Sequence, residues 1–167
     1  MGDNAKERRK AFVVRSDCIR NCLKANVTIS CGDKTMEVPA LWDTGATNSC
    51  ISMDVVESLE LIETGKIEMS TPSGKDIVNT YLVDVLLPNN VPVKDLMVCD
   101  SKIGSQGIGM LVGMDIISKG DFCVSNYNGK TVFSFRMPSD SMMDFVGGIK
   151  LSNMIGKKHG AGKRKRK

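Results

Sequence analysis

Turn signals interrupt this chain at close intervals as far as Pro138, which leaves little room for helix there, and the segments between them alternate like strands. Val27 to Cys31 and Met36 to Leu41 alternate apolar and polar residues, and Cys31-Gly32-Asp33-Lys34 reads as the hairpin turn between them. Ser49 to Ser52 reads as a further short strand, and Asp54 as the cap of a short helix running to Leu61 with Val55 and Leu59 inward. Ile67 to Ser70 and Ile77 to Leu87 read as strands joined through Thr71-Pro72-Ser73-Gly74, where Pro presets a turn and Gly accepts positive φ. Alternation in the second of these places Ile77, Tyr81, Val83, Val85 and Leu87 on one face, with Thr80 and Asp84 on the other. Pro88-Asn89-Asn90 is a turn, Val91 to Cys99 a strand, and residues 100–109 a loop. Met110-Leu111-Val112 reads as a short buried strand, followed by Gly113 and a helical turn from Met114 to Ser118 that Gly120 ends. Asp121 to Ser125 and Thr131 to Arg136 flank Asn128-Gly129, a two-residue hairpin signal. The expectation is an all-β closed barrel with one or two short helices.

A chain of 167 residues, 41% hydrophobic, suffices for one domain with a core. No run of eighteen apolar residues occurs, and Met1 to Lys10 is polar, without the apolar centre of an export signal. No membrane partner is expected, and the chain reads as intracellular and cytoplasmic. Net charge is +4, yet Lys157 to Lys167 holds seven Lys or Arg and no acid, leaving −3 on the remainder. The six cysteines, Cys18, Cys22, Cys31, Cys50, Cys99 and Cys123, are expected as reduced thiols, most of them buried as small apolar groups. The single histidine, His159, lies in the basic end and no Cys-x-x-Cys pair occurs, so neither a metal nor a cofactor is expected.

Chemistry concentrates in Pro39-Ala40-Leu41-Trp42-Asp43-Thr44-Gly45-Ala46-Thr47-Asn48-Ser49. An apolar strand buries the approach to the Asp43 carboxylate, Gly45 permits a tight turn, and the Thr44 hydroxyl can hold the loop. An ordinary strand end followed by a turn accounts for these residue types equally well. A second element separates the two readings. Met110-Leu111-Val112-Gly113 lies downstream, apolar residues and a Gly leading into a helix, with one prominent hairpin between.

In this order the elements resemble the retropepsin-like aspartic proteases. Their subunits carry an apolar-Asp-Thr-Gly-Ala loop, a flap hairpin, and an apolar-apolar-Gly segment before a helix. Here the matching parts are Leu41 to Ala46, the hairpin around Ser70 to Lys75, and Leu111-Val112-Gly113, within residues 25–137. The closing hairpin from Asp121 to Arg136 resembles the last strands of cellular and bacterial members. The resemblance implies a C2 homodimer, because only one Asp-Thr-Gly triplet is present and the chemistry needs two carboxylates. It implies Asp43 as catalytic, Thr44 and Gly45 as its support, and Ala46, Thr47, Asn48, Ser73 and Gly74 as contacts to a peptide substrate. Viral members place an Asp two residues after the loop Gly, where this chain has Thr47, and Trp42 is bulkier than the usual aliphatic neighbour.

Four segments follow: a polar arm over 1–24, the protease-like domain over 25–137, an apolar extension over 138–155 and a basic disordered tail over 156–167. Two alternatives stay open. One is a domain of this fold that dimerises or binds peptides without cutting them. The other is nucleic-acid binding by Lys163-Arg164-Lys165-Arg166-Lys167, against which stand the absence of interleaved aromatics and the acidic body. Gly107-Ile108-Gly109 is a poor phosphate loop, because it precedes a strand instead of following one.

Overall fold

The computed structural model describes residues 9–71 and 74–162. Ten strands and three helices follow in order: β1 (Lys10–Arg15), β2 (Leu23–Cys31), β3 (Lys34–Trp42), β4 (Cys50–Ser52), α1 (Met53–Ser58), β5 (Gly65–Thr71), β6 (Gly74–Leu87), β7 (Val91–Ser101), β8 (Met110–Val112), α2 (Met114–Ile117), β9 (Asp121–Ser125), β10 (Val132–Met137) and α3 (Phe145–Gly162). One sheet runs β2-β3-β8-β4-β7-β6-β5, and an additional β2–β6 pairing closes six of its strands into a barrel. Val27, Ile29, Val38, Ala40, Tyr81, Val83, Val85, Val98, Met110 and Val112 fill it, the inward positions that period-two alternation selects.

The strand β8 enters between β3 and β4. It runs parallel to β3, with Ala40 opposite Met110 and Trp42 opposite Val112, and antiparallel to β4. Parallel neighbours need a crossover, and everything from β4 to β7 supplies it. Gly109 lets β8 come in close: a Cβ there would stand 2.4 Å from the Val38 Cβ. Its N–H donates to the Pro39 carbonyl and its own carbonyl accepts from Ser52 N–H. Of the two glycines in Gly107-Ile108-Gly109, the second thus serves a strand crossing and the first, at φ +65°, ends the turn before it.

Several local expectations change. Ile77 does not share the inner face with Tyr81: it is exposed, because the β5–β6 hairpin projects past the barrel. Thr80, expected to point outward, is buried beneath Thr64, whose hydroxyl and N–H both donate to its carbonyl. Ser52, not Asp54, is the cap residue of α1, and Asp54 lies in its first turn. Asn128 and Gly129 both take positive φ as the hairpin signal requires, but the strands stop at Ser125 and Val132. Thr131 is drawn out of the ladder by the arm: its N–H donates to the Cys18 carbonyl and its hydroxyl accepts from Arg20 N–H. The six thiols are free, but only Cys50 and Cys99 are buried; Cys18 and Cys22 are exposed.

The largest change concerns the arm. Residues 10–15 form β1, which pairs with β10 in a separate β1-β10-β9 sheet. Phe12 enters the core and meets Trp42, Phe133 and Phe135 at ring-centroid distances of 5.5 to 6.2 Å. Trp42 also stacks flat on Phe122 at 5.3 Å. Phe133 and Phe135 share one face, and Val132 lies on the other. The bulky Trp42 is thereby explained: it fills the space between the barrel and this second sheet. Its indole Nε1–H is buried without a partner among the described residues. Residues 1–8 of the arm and 163–167 of the tail lie outside the described residues. Helix α3 continues past residue 156, where the sequence reading begins a tail.

The hairpin β9–β10 is closed by charge. Asp121 and Arg136 are cross-strand partners, and the Arg136 Nε–H donates to Asp121 Oδ2 at 2.8 Å. The Ser139 hydroxyl and the Asp140 N–H also donate to that carboxylate. These bonds, with the guanidinium beside it, hold the Asp121 carboxyl well below the ordinary Asp range.

Two outcomes follow. Phe12→Ala lowers the unfolding free energy by about 3 kcal/mol in a urea titration, the cost of emptying a large core site; a neutral result would return the arm to solvent. A carboxyl with a lowered folded pKa contributes stability that is present above the unfolded range, near pH 4, and lost as pH falls. Asp121→Asn is therefore destabilised at neutral pH, and its melting-temperature gap to the parent narrows on acidification below about pH 4. A constant gap would show that the charge is not what matters.

Candidate active site

Strand β3 ends at Trp42, and the chain turns at once into the loop 43–49. Trp42 is fixed by four phenylalanine rings, so the peptide entering Asp43 starts from a rigid base. The Asp43 N–H donates to the Val112 carbonyl at 3.0 Å, extending the β3–β8 ladder by one bond. Its side chain bends over the following turn: Oδ1 accepts the Gly45 N–H at 2.8 Å, and its carbonyl accepts the Ala46 N–H. Asp43 is half-buried, Thr44, Gly45 and Thr47 are exposed, and Ala46 and Asn48 are intermediate.

The back of the loop is held by residues distant in sequence, 64 and 66 positions away for the Ser49 bonds. Ser49 is fully buried; its N–H and hydroxyl donate to the two oxygens of Asp115 at 2.8 and 2.6 Å. The Ser49 oxygen in turn accepts the Gly113 N–H at 3.0 Å. Met114 N–H donates to the Ala46 carbonyl and Asp115 N–H to the Thr47 carbonyl. A side chain at 113 has no room: a Cβ would lie 2.7 Å from the Asn48 carbonyl carbon and 3.0 Å from the Ala46 oxygen. Gly113 is thus required by close approach of two backbones. Ser49 and Asp115 escaped the sequence reading. Asp115 lacks the triplet context, and the only hint is an acid in the first turn after Gly113.

The hairpin proposed as a flap is joined to this loop through the sheet. Cys50 pairs with Cys99 across β4–β7, and Thr80 pairs with Cys99 across β6–β7. Cys50, Cys99 and Thr80 therefore lie at one level on adjacent strands, about 10 Å from first to last. The β5–β6 hairpin projects from that level. Thr71 and Gly74 are cross-strand partners at its outer end. Gly74 has φ +132°, a conformation only glycine adopts freely. Ser73 lies outside the described residues, so of the two expected flap contacts only Gly74 is placed. Met53, Met69, Ile77 and Val78, with Asp76, Asp100, Ser101 and Lys102, line a groove of about 450 Å³ between hairpin and β7.

Other chemistries are less well served. Cys50 hydrogen-bonds with Cys99, and that bond and burial push the Cys50 thiol far above the ordinary range, so it stays protonated. Among the described residues no cluster of three or more His, Cys, Asp or Glu is placed to hold a metal. What the arrangement offers is one carboxylate at the surface of a stiff loop. Gly113→Ala should strain that loop and cost about 1–3 kcal/mol of stability by urea denaturation, the usual range for overpacking. An unchanged midpoint would mean that the two backbones separate freely.

No family model and no curated protein matches the sequence. Solved structures do match. The chain is similar to a retropepsin-like aspartic protease from Rickettsia conorii, with TM-score 0.52 and 15% identity over 79% of this chain and 98% of that one. Simian foamy virus protease matches with TM-score 0.44 and 18% identity over 57% of this chain and 92% of that one. The protease of EIAV, solved with an inhibitor, gives TM-score 0.45 and 18% identity over 60% and 88%. The fold assignment rests on the first of these together with the loop, hairpin and β8–α2 arrangement above: the chain has the fold of the retropepsin-like aspartic proteases.

Proposed function

We propose that this chain is one half of an aspartic endopeptidase, active as a homodimer in which two Asp43 carboxylates face each other. The observation that carries the reading is the Asp43 loop itself. Its back is pinned by Ser49, Asp115 and Gly113, and its front, Thr44 and Gly45, is exposed. A carboxylate held so rigidly and left half-open is one half of a site, and the chain has a single Asp-Thr-Gly triplet. A two-fold axis supplies the other half.

Two carboxylates about 3 Å apart do not both ionise, so the pair holds one shared proton. The ionised member takes a proton from a water molecule, whose oxygen attacks the peptide carbonyl carbon. The protonated member donates a hydrogen bond to the carbonyl oxygen as it gains charge. Collapse of the tetrahedral intermediate breaks the C–N bond, and the nitrogen leaves with a proton returned from the pair. Thr44 would bond across the two loops beneath the carboxylates, and Gly45 would present backbone to the peptide. Ala46, Thr47, Asn48, Ser73 and Gly74 would contact the substrate, with the hairpin closing over it and excluding water.

The test is cleavage of a mixed peptide library by the purified chain. Asp43→Asn should lower the rate by about 10³-fold or more, since it removes the acid–base pair. A statine-type inhibitor should block the parent's activity. A parent protein that dimerises and retains peptides but cuts none would favour the non-catalytic reading. Cleavage undiminished in Asp43→Asn would refute the proposed chemistry.

A further inference from the structure

We propose that Cys50 and Cys99 form a dithiol site, which a hydroperoxide oxidises to a disulfide tying the exit of the Asp43 loop to the sheet that carries the β5–β6 hairpin. Leu41, Leu111, Cys50, Cys99 and Thr80 are successive register partners across β3, β8, β4, β7 and β6. Their chain neighbours Trp42, Val112, Ile51, Val98 and Tyr81 belong to the core, so this row lies on the opposite face of the sheet. It starts two residues before Asp43 and ends on the second strand of the hairpin. Cys50 and Cys99 are 6% and 1% exposed, yet neither belongs to the apolar core cluster.

The other cysteines are placed differently. Cys31 stands opposite Lys34 and Cys123 opposite Ser134, while Cys18 and Cys22 are exposed. Cys50 and Cys99 stand opposite each other. Adjacent strands lie about 4.8 Å apart, within the Cα separation of about 4.4–6.8 Å that a disulfide bridges. Both side chains leave the sheet on one face, and the two thiols hydrogen-bond to each other. That bond holds Cys99 below its ordinary range and Cys50 above it, so Cys99 supplies the attacking sulfur.

The Cys99 sulfur attacks one peroxide oxygen and the O–O bond breaks. The other oxygen leaves as water with the Cys99 proton, and Cys99 becomes a sulfenic acid. The Cys50 sulfur displaces the hydroxyl, the S–S bond forms, and a second water carries off the Cys50 proton. Two thiols lose two electrons and the peroxide gains them. Both thiol hydrogens are lost, and with them the Cys50 S–H contact to the Asn48 carbonyl at 3.8 Å. The Ser49 carbonyl beside it already accepts the Cys99 N–H at 3.2 Å. A weak contact within the Asp43 loop is thus replaced by a covalent link from the loop's exit to β7. Because β7 is paired with β6, the link resists movement of the hairpin against the loop. The effect on cleavage rests on the proposed peptidase; formation of the disulfide does not.

The experiment treats the full chain with hydrogen peroxide, alkylates the remaining thiols and maps linked peptides by mass spectrometry. The proposal predicts a Cys50–Cys99 linkage, a loss of about 2 Da for two hydrogens, and reversal by dithiothreitol. The linkage closes a loop of about fifty residues, so the melting temperature of the parent rises on oxidation. In Cys50→Ala and in Cys99→Ala both the linkage and the rise disappear, and Cys99→Ser gives the same result where alanine impairs folding. Where the parent cuts peptides, oxidation lowers the rate, dithiothreitol restores it, and Cys99→Ala loses the response. In a chain that cuts nothing, the linkage and the melting shift decide the dithiol by themselves. The proposal is overturned if peroxide oxidises Cys18 and Cys22 while Cys50 and Cys99 stay reduced, or if the pair ends as separate sulfinic acids. Cleavage that is the same before and after linkage would overturn the coupling to the hairpin.

Discussion

The site depends on one crossing of two backbones. The loop that carries Asp43 and the segment from β8 into α2 touch at Gly113, where the absence of a side chain lets Asn48 and Ala46 come within van der Waals range. Ser49 and Asp115 then close the contact with two hydrogen bonds to a carboxylate, and the Ser49 oxygen satisfies the Gly113 N–H. Hydrogen bonds to a charged group contribute about 1.5–3 kcal/mol each, more than ordinary neutral ones. With this crossing in place, β8 is registered against β3 and β4 together, and the barrel closes around Met110 and Val112.

Stiffness behind the loop contrasts with openness in front of it. Behind Asp43, Trp42 is clamped between Phe122 of β9, Phe133 and Phe135 of β10 and Phe12 of β1. The clasp of Asp121, Arg136, Ser139 and Asp140 secures the hairpin that supplies three of those rings. In front, Thr44, Gly45 and Thr47 reach solvent. A single chain thus builds a rigid wall behind Asp43 and leaves the front of the loop open, which is the physical basis for the proposed second copy.

Much of this was readable in the sequence because it depends on local rules. Period-two alternation located the strands, and Asn128-Gly129 and Thr71 to Gly74 located turns. The apolar approach to Asp43 and the glycine after Met110-Leu111-Val112 marked the two segments that cross. What escaped depends on pairings distant in the chain. Phe12 belongs to a short apolar run, Ala11-Phe12-Val13-Val14, set in a charged arm, and nothing in that run announces that β10 and Trp42 await it. Ser49 and Asp115 are unremarkable alone and gain meaning only when Gly113 brings their segments together. Ile77 obeys the alternation of its strand but lies beyond the barrel, where there is no core to face; Thr80 breaks the same pattern because Thr64 covers the opposite side.

The central claim is that two Asp43 groups act together. It is tested most directly by mixing the parent chain with equal Asp43→Asn, allowing the subunits to exchange, and measuring peptide cleavage at constant total protein. If both carboxylates are required, only parent–parent pairs cut, and activity falls to about one quarter of the undiluted value by random pairing in a two-fold dimer. A fall to about one half, proportional to the parent chain alone, would mean that each Asp43 works independently of a symmetry mate.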